Sequence, residues 1–147
     1  MAEKDAPAGY ASPACMLHEV DPAYATGARV GIRRAYDPPG EDEGWRVLID
    51  RIWPRGVTRE KLAIDAWEKE LAPSTELRRW FGHDPARWDA FRARYRAELA
   101  GQGEAVDALV RRLGKGPVTL VFGAKDVAHS NATALREYLI ERLAGRL

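Results

Sequence analysis

The run Val118-Thr119-Leu120-Val121-Phe122 constrains this chain more than any other feature. Its residues are strand formers, and only Thr119 interrupts the apolar character. A strand of that kind must be covered on both faces, as parallel strands are inside α/β layers. A second such run, Val47-Leu48-Ile49, lies inside the stretch from Trp45 to about Ile52. The segment between the two runs has mostly helical periodicity, which permits a right-handed crossover between parallel strands. The sequence therefore predicts an α/β fold: a small, mainly parallel sheet flanked by helices.

Other segments fit that frame. Arg29 to Tyr36 alternates Val30 and Ile32 with charged or small neighbours, the pattern of a half-exposed strand. Asp37-Pro38-Pro39-Gly40 is turn chemistry, prolonged by the acidic Glu41-Asp42-Glu43-Gly44. Pro54 ends the second strand, because proline cannot donate to the ladder, and Gly56 lets the chain turn. Thr58 caps a helical turn reaching about Leu62. Ala63 to Pro73 reads as irregular or short helical, with Ile64, Trp67 and Leu71 facing inward. Four helices with clearer signals remain. Ser74 caps the first, from Thr75 to Phe81. Asp84-Pro85 opens the second, which stops at Gly101. Glu104 to Leu113 is the third, broken by Gly114-Lys115-Gly116-Pro117. Ser130 or Asn131 opens the last, carrying Leu135, Tyr138, Leu139 and Leu143. Residues 1–28 are rich in Ala, Pro and Gly and lack a period, so they are expected to form a flexible N-terminal extension. Residues 29–147 make one domain, since 147 residues are too few for two ordinary ones.

Four stretches carry a family likeness: Asp50-Arg51-Ile52-Trp53-Pro54-Arg55-Gly56, Trp67 to Ser74, Leu77 to Pro85, and Thr119 to Asp126. Together they resemble the domain of unknown function family 488, in its YeaO-like branch, over roughly residues 29 to 145. The family often has tyrosine or serine where Gly123 stands. It often has an Asn or His pair where this chain reads His129-Ser130-Asn131-Ala132. The resemblance implies a bacterial or archaeal cytoplasmic α/β domain and supplies no activity.

Both apolar runs end abruptly in charge, and ligands of open α/β sheets bind at the C-terminal ends of strands. Asp50, Arg51 and Arg55 follow the first run; Lys125 and Asp126 follow the second. If the two strands are neighbours, Arg51, Arg55 and Lys125 converge. Arginine forks hold carboxylate or phosphate in pairs, lysine adds a point charge, and the N–H groups near Asn131 also face an anion. The expected ligand is a phosphorylated or nucleotide-like anionic small molecule, bound with or without catalysis. Arg51, Trp53, Arg55, Lys125 and Asn131 are the ligand-binding candidates, with Trp53 stacking on a base. Asp50 and His129 are the catalytic candidates, as a base or orienting group and as a group titrating near neutral pH. The competing expectation is an internal ion-pair network of the same residues, because buried charges are usually paired.

Other classes fit less well. A net charge of +1 argues against a strongly cationic nucleic-acid binder. Arg78, Arg79, Arg92 and Arg96, with Trp53, nonetheless offer an alternative as a single-stranded nucleic-acid-binding module. A protein-interaction domain without chemistry is a further alternative. Three scattered histidines show no metal-ligand spacing, so no metal is expected, and no cofactor motif is present. Ser74 and Ser130 lie in no nucleophile elbow and read as caps. Long apolar runs and a secretory pattern are absent, and Cys15 is the single cysteine. These features lead to the expectation of a cytoplasmic protein without membrane association. Oligomeric state is not legible.

Overall fold

A computed structural model of the chain describes residues 29–145. The expected N-terminal extension, Cys15 and His18 lie outside the described residues. The strands are β1 (Val30–Arg34), β2 (Trp45–Leu48), β3 (Ala66–Trp67) and β4 (Val118–Phe122), in the spatial order β1-β4-β2-β3. Every pairing is parallel, so β4, the last strand in sequence, is inserted between the first two. All five residues of β4 are buried, as its unbroken apolar character requires.

The ladder register sorts the side chains. Val30, Val47, Leu120 and Phe122 join the larger core on one face, together with Ile49 just beyond β2. That face is covered by α2 (Thr75–Phe81), α3 (Trp88–Ala100), α4 (Gly103–Leu113) and α5 (Asn131–Leu143). Phe81, Phe91 and Tyr95 form a run of ring contacts inside it. On the other face Leu48 and Val121 make a smaller core with Ala35 and Leu62. Leu62 ends α1 (Arg59–Leu62), a single turn capped by Thr58 Oγ1.

The β1–β2 connection has no helix, yet it returns the chain along the sheet. Its path is pinned where Thr119 Oγ1 donates to Glu43 O at 2.7 Å and Arg33 pairs with Glu43 at 3.1 Å. Gly44 is required there. It has φ +67°, and a methyl group on it would lie 2.3 Å from Pro117 O. Glu43 also pairs with the buried Arg46, whose guanidinium donates to Leu62 O and Ala63 O. The acidic stretch before β2 is thus partly structural.

Two elements differ from the expectation. The second strand stops at Leu48 instead of Ile52, although Ile49 N still donates to Val121 O at 3.0 Å. The segment expected to be irregular contributes β3. Its neighbour Asp65 accepts Arg46 N–H through Oδ2 at 2.8 Å and donates its own N–H to Arg46 O at 2.7 Å. A two-residue strand built on backbone exchange leaves no side-chain period to detect.

Candidate functional site

The C-terminal ends of β1, β4 and β2 lie side by side, because all three strands run the same way. Asp50 sits where β2 has just left the ladder. Its Oδ2 accepts Gly123 N–H at 2.9 Å, and its Oδ1 accepts Asn131 Nδ2 at 2.9 Å. Asn131 also donates to Ile49 O at 3.1 Å. The carboxylate therefore ties β2 to the end of β4 and to the first turn of α5. Burial pushes the Asp50 carboxyl above its usual range; the Asn131 and Gly123 hydrogen bonds and the Arg78 charge oppose that rise. The backbone carbonyl of Asp50 accepts Trp67 Nε1 at 2.6 Å.

The cations diverge in their use. Arg55 and Lys125 are exposed, and neither has a carboxylate partner among the described residues. Arg51 is also exposed, but its guanidinium reaches back to Pro73 O and Ala72 O, both at 3.4 Å. It lines a hollow of about 270 Å³ bounded also by Glu70, Ser74, Tyr95 and Glu98.

The other candidates are occupied within the fold. Trp53 donates Nε1 to Val57 O at 2.7 Å and meets Trp67 edge-on at 5.4 Å, both half-buried against the smaller core. His129 Nδ1 is 2.7 Å from Asp126 Oδ2, and its ring meets Trp88 edge-on at 5.2 Å. That hydrogen bond to His129 is the main cause holding the Asp126 carboxyl below its usual range. Ser74 and Ser130 cap α2 and α5, as expected of them. Of the basic residues on α3, Arg92 bonds Glu137 at 3.0 Å and Arg96 bonds Glu141 at 2.6 Å, which clamps α3 to α5. Arg78 and Arg79 are exposed. No group of three or more His, Cys, Asp or Glu among the described residues is arranged to hold a metal ion.

Arg34 and Tyr36 belong to this edge and escaped the sequence argument. Arg34 Nε donates to Ala124 O at 2.9 Å, and its guanidinium carbon lies 5.2 Å from the Tyr36 ring centroid. Gly123 forms the floor between them and Asp50: a methyl group there would lie 3.2 Å from Asp50 Oδ2 and 3.9 Å from the Tyr36 ring. The signal was available, since the first strand also ends in charge and an aromatic. Among the described residues, the exposed large hydrophobic side chains are Tyr36, Ile52 and Val127, each in the connection that follows β1, β2 or β4.

Comparison with known proteins agrees with the family likeness. The model of a family described as the inactive DUF488-N3 subclade matches residues 29–146. The chain is 40% identical over 107 residues to the uncharacterized protein YeaO of Escherichia coli, covering 73% of this chain and 93% of YeaO. It is 42% identical over 112 residues to the uncharacterized protein Rv3073c of Mycobacterium tuberculosis, covering 76% of this chain and 93% of that protein. The uncharacterized protein Mb3100c of Mycobacterium bovis matches to the same extent, 42% over 112 residues. No solved structure matches the chain. No helix among the described residues is long and apolar enough to cross a membrane. The chain belongs to the DUF488 family, in its YeaO-like branch.

Proposed function

We propose, with membership of this family as the premise, that the chain is a binding protein for a phosphorylated or nucleotide-like anion. The site is the C-terminal edge of the sheet, and binding proceeds without catalysis. The observation that carries this reading is the state of Arg55 and Lys125. They follow adjacent parallel strands, are exposed, and have no acidic partner among the described residues. A structural network would have neutralised them, as it neutralises Arg92 and Arg96. Tyr36, at 47% exposure, supplies a face for an aromatic base in place of the packed Trp53.

Two observations favour binding over catalysis. Both oxygens of Asp50 already accept hydrogen bonds that fasten the fold, so it acts as a positioning residue. The matching family's own description is of an inactive subclade. The test is thermal denaturation of the full chain against nucleotides and sugar phosphates. A ligand at a hundred times its Kd contributes about 2.7 kcal/mol, which raises Tm. The Arg55→Ala/Lys125→Ala double variant should lose that rise while keeping its own ligand-free Tm. A panel that leaves Tm unmoved, or a double variant that responds like the parent, refutes the reading.

A further inference from the structure

The geometry points to a second site: the hollow beside Arg51 binds a small zwitterion of the free α-amino-acid class. It is separate from the anion-binding edge and does not depend on that reading. The hollow, about 270 Å³, is below drug-pocket size and suits one small metabolite. Its charges are sorted. Glu70 is exposed and has no partner among the described residues. Glu98 is fixed by Ser74 N–H at 2.7 Å and Ser74 Oγ at 2.6 Å, which leaves lone pairs on both oxygens. The C-terminal end of the thirteen-residue α3 reaches the hollow at Leu99 and Gly101, and a helix C-terminus is the negative end of its dipole. Those groups suit an ammonium.

Arg51 is the one guanidinium in the lining. Its two carbonyl contacts, both at 3.4 Å, are long for hydrogen bonds and easily exchanged. A bidentate carboxylate would be a stronger partner than either. Tyr95 underlies the hollow and offers it no free donor, because the residue is wholly buried and its hydroxyl is already donated to Leu71 O. A simple anion is disfavoured, since two carboxylates outweigh one guanidinium. A simple amine would leave Arg51 unused. A ligand carrying both charges satisfies the lining.

The experiment is thermal denaturation of the full chain with individual proteinogenic α-amino acids at about 10 mM, each beside its N-acetyl and methyl-ester derivatives. For a Kd near 1 mM, the best free amino acid should raise Tm by about 6 °C. Blocking either end should remove the rise. Glu70→Gln and Arg51→Gln should each abolish it, and both positions are exposed, so ligand-free Tm serves as their folding control. Lys125→Ala should leave it intact while weakening the response to nucleotides. Three results overturn the proposal: no free amino acid moves Tm by more than about 1 °C; a blocked derivative acts as well as its parent; or both Gln variants respond fully. An amino-acid response without any nucleotide response would sink the edge reading and keep this one. The reverse would do the opposite.

Discussion

Removing the amide of Asn131 should weaken the fold by an amount that grows with pH. In Asn131→Ala the Asp50 carboxylate loses its hydrogen bond at 2.9 Å, and Ile49 O loses one at 3.1 Å. A hydrogen bond to a charged group is worth about 1.5–3 kcal/mol, and a neutral one about 1 kcal/mol. Helix α5 keeps its Ser130 cap, and alanine is acceptable at its first position, so no other loss is expected. Relaxation and water entry offset part of the sum. The net cost should be about 2–3 kcal/mol near pH 7, a Tm drop of about 8–12 °C for a domain of this size.

The pH sign follows from the Asp50 carboxyl, which burial already holds above its usual range. A raised folded-state pKa gives stability that is full below the unfolded value and lost as pH rises through the folded value. The Asn131 hydrogen bond is the largest influence opposing that rise. Without it the pKa climbs further, and the variant loses more stability than the parent as pH increases from about 4 toward neutrality. Below that window Asp50 is protonated, and the difference should shrink to about 1 kcal/mol. Urea unfolding followed by tryptophan fluorescence from about pH 3 to pH 8 measures both quantities. A difference that is flat with pH, or below about 0.5 kcal/mol throughout, would show that Asn131 does not hold this carboxylate.

Other substitutions probe the same frame. Gly44→Ala should cost about 3 kcal/mol or more in chemical denaturation, because its φ of +67° and the 2.3 Å approach to Pro117 O leave no room for a methyl group. Gly123→Ala should cost about 1–2 kcal/mol, since the added carbon presses on Asp50 Oδ2 at 3.2 Å; unchanged unfolding would mean the strand end yields freely. Ser130→Ala should cost about 1 kcal/mol through loss of the α5 cap, read from the same denaturation curves. Tyr95 is wholly buried, and burial with the Asp50 and Glu98 charges pushes its hydroxyl far above the usual range. In a tyrosinate absorbance titration it should stay protonated until the fold is lost, and Tyr95→Phe should leave the native-state titration unchanged.

Much of the fold was legible because its signals are local. Val118 to Phe122 is apolar at nearly every position, and only a strand covered on both faces uses such a run. The caps Thr58, Ser74, Asp84 and Ser130 each accept a backbone N–H within three residues, so their chemistry is written in the chain order. That β2 and β4 run parallel was expected from the helical segment between them, whereas their being neighbours was left open by the sequence. Strand β3 was not legible, since a two-residue strand held by Arg46 and Asp65 leaves no period.

At the strand ends the sequence determined which charged residues would be present, and tertiary structure decided what each one does. Spacing could not foretell that Asp50 would be claimed by Asn131, 81 positions away, or that Trp53 would pack against the smaller core. Nor could it separate Arg51, drawn to the carbonyls of Ala72 and Pro73, from Arg55 and Lys125, left in solvent. Residue type and local order settle where strands stop and helices start, because those depend on backbone bonds a few residues apart. The availability of a charge depends on donors and acceptors delivered from distant segments, and only the packed chain brings them together.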